Sequence, residues 1–443
     1  LTASERPPRH LGLADATAIY AGIILGSGIF VAPAAVAEAA PALPLALALW
    51  VAGGLVAACG ASCYAECSSR VPESGGFFVF QRKAFGPGVA FVGGWAAVFV
   101  TYPASIAAIA LVFASYFAEA SGLSGWERTI AAAALVVSAG LNAAGLRTGP
   151  LAQRGITTAK IAALAAVTAL AFAGPAAAPP ASAASSSGGV SAAAWLGALL
   201  LVLWTYEGWS DVTLVAGEVR DPQRNLGRAV LAGTAILVAV HALVQAAVLR
   251  ALPPDVAAAS SRPVADAVAA GWGAGAARLV AALVVVSTFG SILGVTLTVS
   301  RLAQAMAQDG ALFRGAAPFH ARWGTPVRSI AIVTAASFVY VAVASFRGIL
   351  VYFTFSVWMF YALTAVCLLV LRRRRIGEAH AWRAPLGVLA PAVVLAMAAV
   401  VTGQVIAQRP REALAGAAVF ASGFVVYAVT RSAGAGGSAG TER

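Results

Sequence analysis

The chain has 443 residues, 60% of them apolar and only 10% charged, with a mean hydropathy of +0.85. A soluble protein of this length needs far more polar surface, so the composition excludes a water-soluble enzyme or binding module. The formal net charge of +12 is compatible with a nucleic-acid partner only if the basic residues cluster on one exposed face, and they do not.

The apolar residues fall in blocks of roughly twenty, the length with which a helix crosses about 30 Å of hydrocarbon. No segment alternates with period two, which argues against a membrane β-barrel. Twelve blocks are read in chain order, at 12–40, 43–68, 87–118, 128–145, 155–174, 192–218, 229–250, 276–307, 327–345, 348–371, 384–407 and 412–430. The stretch before Leu11 carries Ser4, Glu5, Arg6 and Arg9 and does not read as a signal peptide. The first block is interrupted by Gly26-Ser27-Gly28-Ile29-Phe30. The second places Cys59, Cys63 and Cys67 on one helix face. That spacing suits a soft metal in principle, but in an Ala- and Gly-rich helix cysteine packs as a small apolar residue. No metal, cofactor or disulfide is expected.

Ser74 to Gly86 is too polar to span and reads as a short inner-side hairpin packed on the bundle. Gly174 to Ser191, rich in Pro, Ala and Ser, reads as a flexible outer loop. The sixth block is interrupted by Tyr206-Glu207-Gly208-Trp209-Ser210-Asp211. The tail 433–443 is Gly-rich and reads as disordered and cytoplasmic. The rest, 1–432, reads as one transmembrane domain.

With the N-terminus inside, 22 of the 29 basic residues fall on inner loops and inner helix ends. Those left outside are Arg128, Arg250, Arg262, Arg278, Arg347, Arg409 and Arg411. The positive-inside rule then places both termini in the cytoplasm of a multi-pass cell-membrane protein. The run Arg372–Arg375 reads as a membrane-surface anchor against lipid, not as a nucleic-acid contact.

Five spans separate the two interruptions. An odd number of spans per unit forces a repeated unit to re-enter with opposite orientation, and paired breaks in corresponding helices point to an inverted-repeat transporter. The reading is a first repeat over 12–174, a second over 192–371, and two additional helices over 384–430. Single glycines in membrane helices are commonly there for packing, as Gly290 and Gly294 can be. Two matched breaks, the second carrying Glu207 and Asp211, are not explained that way.

A break exposes backbone groups that cost several kcal/mol each when unsatisfied in the membrane. A zwitterionic amino acid suits both kinds of orphan. The half-helix starting after Gly28 aims free N–H groups and a positive dipole end at a carboxylate. The half-helices ending near Ile24 and at Trp204 to Glu207 offer carbonyls to an ammonium.

These residues resemble the amino acid–polyamine–organocation (APC) superfamily, and within it the L-amino-acid transporter branch. The likeness covers nearly the whole chain. It rests on Gly26 to Phe30, on Tyr64-Ala65-Glu66 with Pro72-Glu73-Ser74-Gly75-Gly76, and on Leu141-Asn142 with Gly145-Leu146-Arg147 and Gln153. It continues through Tyr206 to Trp209, Gly217 to Pro222 with Asn225-Leu226, Gly290-Ser291, Arg301, Asp309-Gly310 and Thr325-Pro326. It implies an all-α fold of twelve transmembrane helices, a five-plus-five inverted repeat of the leucine-transporter type with discontinuous helices 1 and 6.

Carried onto this chain, it implies that the substrate carboxylate meets the N–H groups around Gly26, Ser27, Gly28 and Ile29. The ammonium would meet the carbonyls of Ile24, Trp204 and Glu207, with Trp204 as an aromatic gate and Ser291 and Val295 as neighbours. The family pattern has Pro where Gly227 stands and a polar–aromatic pair where Phe77-Phe78 stands. Both departures fall at the cytoplasmic edge and bear on loop rigidity. The outer loop after the third block lacks cysteine, so a disulfide-linked heavy chain, as in animal relatives, is not expected.

Lys160 in the fifth block is open to two readings. Its stem can carry the ammonium to the inner interface. The resemblance instead implies that it approaches the broken first helix where sodium-coupled relatives hold a cation, making transport sodium-independent. Glu207 is the one acid expected at pocket level, with substrate, proton-accepting and backbone-capping roles open. His241 reads as a helix-packing residue in preference to a proton relay. Glu66 and Glu218 are expected to pair with Arg70 or Arg220.

No metalloprotease, nucleophile-elbow or metal-ligating motif supports a membrane enzyme. A non-transporting sensor lacks a signalling domain here, and a channel lacks a continuous polar lining. The expectation is a sodium-independent transporter of small neutral L-amino acids by alternating access, an exchanger. Proton symport, and permeation of cationic amino acids or polyamines, stand as alternatives.

Overall fold

The computed structural model describes residues 11–438 except 74, 145–149, 177–191, 313, 321–322, 344–345, 378 and 380. Among these residues the fold is helical, with a single isolated β-bridge between Leu11 and Val219. The expected outer loop and the Gly145-Leu146-Arg147 motif lie largely outside the described residues.

The first span is broken as the sequence predicts. Helix α1 (Leu13–Ile24) and α2 (Gly28–Ala39) are bent by 58° across Leu25–Ser27. Helix α3 (Leu43–Arg70) follows. The expected inner hairpin is instead one helix, α4 (Phe77–Phe85), whose Phe77, Phe80, Gln81 and Ala84 recur at helical spacing and are buried. The next span runs as α5 (Pro87–Ala96), a π-helical turn (Ala97–Thr101) and α6 (Tyr102–Ser121).

Helices α7 (Glu127–Ala143), α8 (Pro150–Ala173) and α9 (Ala192–Thr205) complete the first half. After α9 the chain is irregular, then forms a 3-10 helix over Asp211–Glu218, so the second expected break is also present. Helices α10 (Pro222–Ala251), α11 (Pro254–Ala259), α12 (Pro263–Gln308), α13 (Val327–Val343), α14 (Phe346–Arg373), α15 (Leu389–Gln408) and α16 (Pro410–Ser438) follow. Helix α12 is longer than its apolar block because a second helical segment joins it across Gly273, where φ is 78°.

Among the described residues six helices are long and apolar enough to cross a membrane, and the bent α1/α2 pair, taken as one span, brings the number to seven. Shorter apolar helices occur within α8, α9, α13 and α16. Every expected block overlaps a helix.

The two breaks pack against each other. A Cβ on Gly28 would sit 2.7 Å from the Thr205 Cγ2 and 3.0 Å from its Cα, so the start of α2 touches the backbone at the end of α9. Gly208 has φ +111°, and a Cβ there would lie 2.9 Å from the Ile23 side chain. At the far end of α1, the Arg220 N–H donates to the Leu11 carbonyl at 2.8 Å, tying the chain before α1 to the end of the 3-10 helix.

Glu66 pairs with Arg70 as expected and has further partners. It is fully buried and accepts from Arg70 (3.0 Å), from Arg372 (2.5 Å) and from the Ala384 N–H (2.9 Å). Arg372 is therefore a partner for a buried carboxylate, not a surface anchor, because such a charge is costly unless paired. The Glu218 side chain lies outside the described residues. His241 is buried, bonds to the Leu237 carbonyl at 2.7 Å and stacks on Trp50 at 4.8 Å, as a packing residue does.

Candidate functional site

A cavity opens where the two breaks meet. Ile24, Gly26, Ser27 and Gly28 line it from the first break; Trp204, Glu207 and Gly208 from the second; Val295 lines it from α12. The side chains of Ile29 and Ser291 do not line it. Ile29 is buried in the core, leaving only its N–H near the cavity end of α2. The hydroxyl of Ser291 is turned toward Lys160, behind Gly26.

At the start of α2 the N–H groups of Gly28 and Ile29 have no carbonyl one turn before them within that helix. Ser27, at the N-cap, makes no capping bond; its hydroxyl is buried and lacks any partner. Three donors thus converge at the positive end of a twelve-residue helix. A Cβ on Gly26 would meet nothing closer than 3.7 Å, so glycine there clears the cavity and is not demanded by packing.

On the carbonyl side, the Ile24 oxygen accepts from the Gly26 N–H at 2.6 Å and the Trp204 oxygen from the Glu207 N–H at 3.1 Å. The Ile24 oxygen keeps one lone pair, and the Glu207 oxygen takes no hydrogen bond among the described residues. An ammonium has three donors to distribute over such a set.

Lys160 does not snorkel. Its ammonium is buried and donates to the carbonyls of Gly22 and Leu25 (3.4 Å each) and to the Ser291 hydroxyl (3.0 Å). It therefore caps the carbonyl end of α1 with a positive charge.

The sequence reading missed half of the cavity. Asp211 is a second lining acid, where Glu207 alone was expected. Asp211 accepts from Tyr102 at 2.7 Å and from Ser210 at 3.0 Å, while Tyr361 donates to the Glu207 carboxylate. Thr101 and Ser105 line the same wall, and the Thr101 hydroxyl is buried without a partner. The sequence signal is the polar set Thr101, Tyr102 and Ser105 inside an apolar block, and the structure puts a π turn there, as is frequent at functional sites. Phe77, read as a loop-edge residue, packs on Phe360 at 5.4 Å and lines the cavity with it.

Residues 11–429 match the family model described as amino acid permease. The b(0,+)-type amino acid transporter 1 of Oryctolagus cuniculus is 29% identical over 83% of this chain and 77% of its own. The Asc-type amino acid transporter 1 of Mus musculus is 30% identical over 84% and 72%. An uncharacterized transporter of Mycobacterium bovis is 33% identical over 96% and 91%. These relatives are transporters, not enzymes. The chain belongs to the amino acid permease family, in the L-amino-acid transporter branch of the APC superfamily.

Proposed function

We propose that this protein is a sodium-independent exchanger of small neutral L-amino acids. In this reading it has twelve spans in a five-plus-five inverted repeat and works by alternating access. It lies in the cell membrane with both termini in the cytoplasm. The observation that carries the reading is the pairing, across one cavity, of unpartnered donors at Ser27, Gly28 and Ile29 with acceptors at Ile24, Trp204 and Glu207. That set complements the two charges common to all amino acids.

Sodium independence is supported by Lys160, which already supplies a cation to the Gly22 and Leu25 carbonyls. A small substrate is supported by the aromatic walls of Trp204, Tyr64, Phe77, Phe360 and Tyr361. Function without a disulfide-linked heavy chain is supported by the burial of all four cysteines.

Cationic substrates form a second reading. Glu207 and Asp211 both line the cavity, whereas none of its lining residues is Lys, Arg or His. The test is uptake of labelled alanine, serine, leucine and arginine into proteoliposomes, empty or loaded with amino acid, without sodium. Uptake of neutral amino acids only into loaded vesicles is the expected result. Uptake of arginine alone would overturn the neutral assignment.

A further inference from the structure

We propose that Glu207 and Asp211 together hold one proton while a neutral amino acid is bound and release it when a cationic one binds. Exchange of a cationic for a neutral amino acid then carries a proton along with the neutral one. The inference rests on the transport reading above in its second form, in which cationic substrates enter the same cavity, and adds a transported ion to it.

The two carboxyls stand four residues apart and line the same cavity. Their partners are neutral: Tyr361 for Glu207, and Tyr102 and Ser210 for Asp211. Two carboxylates in one desolvated site cannot both ionise without a compensating cation. Asp211 has two hydroxyl donors and Glu207 has the Tyr361 phenol with the Gly208 N–H, so each carboxyl is held by neutral donors and neither has a cation beside it. That the cavity is a ligand site is independently marked by Thr101 and Ser27. Their hydroxyls, 4% and 2% exposed by residue, line it and have no partner.

The other titratable groups around the pair do not supply the missing charge. From α1, Tyr20 bonds to Thr234 at 2.7 Å; from α3, Tyr64 accepts from Thr364 at 3.0 Å. From α10, His241 is committed to the Leu237 carbonyl. Glu66, further along α3, is paired with Arg70 and Arg372. From α8, Lys160 bonds to Gly22, Leu25 and Ser291, and to neither carboxyl.

The balance is simple. With a zwitterion bound, the pair keeps its proton. With a substrate bearing a side-chain ammonium, that charge replaces the proton, which leaves to water. The loaded site has the same net charge in both cases. Lysine entering against alanine leaving therefore moves one positive charge in as ammonium and one out as the proton.

The experiment uses the full chain in liposomes loaded with alanine and a trapped pH-sensitive dye, with lysine or alanine added outside. External lysine is expected to make the lumen more alkaline by about one proton per lysine exchanged, at a rate indifferent to a clamped membrane potential. External alanine is expected to leave the pH unchanged. In Asp211→Asn the protons moved per lysine should fall severalfold. Tyr102→Phe, a milder change, should shift the pH at which lysine exchange is half-maximal upward, since the carboxylate loses a donor.

Lysine exchange with a flat luminal pH, or driven by the membrane potential, overturns the proposal. So does alanine exchange with no lysine exchange, a result that leaves the transport reading standing. If neither amino acid moves, the transport reading falls and the proton goes with it.

Discussion

The ammonium of Lys160 lies 3.0 Å from the hydroxyl of Ser291, so a charge on α8 fastens α12 to the unwound end of α1. The same ammonium reaches the Gly22 and Leu25 carbonyls. One side chain thus joins three elements at the break. Replacing it by Lys160→Met keeps the stem but orphans these oxygens, each worth about 1–3 kcal/mol when buried and unsatisfied. Alanine exchange in proteoliposomes should fall by about tenfold or more. Ser291→Ala removes one neutral contact and should cost less. Equal losses in the two variants would show that the ammonium's other two bonds carry nothing.

The anion end of the site is tested at three adjacent positions. Ser27→Ala deletes an unpartnered hydroxyl. It should leave thermal stability unchanged or slightly raised and increase the KM for alanine about tenfold, the value of one hydrogen bond to a charged group. Gly26→Ala sets a methyl in ordinary van der Waals contact with the Ile24 carbonyl and the Ser291 hydroxyl, crowding that carbonyl, and should weaken exchange while the protein stays folded. Gly28→Ala collides with the Thr205 backbone and should lower expression and Tm. Thermal melts in detergent alongside uptake separate the three; a stable, active Gly28→Ala would refute the close contact between the breaks.

His241 offers a control on proton movement. Its ring is enclosed by Trp50 and Tyr206, with centroids 4.8 and 4.9 Å away. His241→Phe should preserve the pH profile of exchange while lowering Tm modestly. A shifted profile would return the histidine to the transport pathway.

Both breaks were legible because glycine and acid stand out against apolar helices, and the chemistry of orphaned backbone groups follows from the break alone. The wall opposite was not. Tyr64, Tyr102, Phe360 and Tyr361 are apolar by composition, and only tertiary packing turns their hydroxyls and edges inward. Asp211 was visible as a residue, but its place in the cavity depends on the tight 3-10 path after Ser210. Arg372 sits in a run of four arginines, and nothing in that run distinguishes the one that turns back to Glu66.

That turn gives the last prediction. Glu66 has 0% exposure and is shared by two arginines and a backbone N–H, joining α3, α14 and the segment leading to α15. Deleting the carboxylate with Glu66→Ala strands Arg70, itself buried, and releases Arg372 and the Ala384 N–H together. Breaking a buried pair this way costs about 3–5 kcal/mol. Arg372→Ala leaves the carboxylate held by Arg70 and Ala384, so its cost should be nearer 1.5–3 kcal/mol, roughly that of hydrogen bonds to a charge. The double variant should fall below Glu66→Ala by little, because Arg372 then keeps only the exposed Gly387 carbonyl. Thermal melts of the three proteins in one detergent measure this; additive losses would mean that Glu66 and Arg372 do not act as a unit.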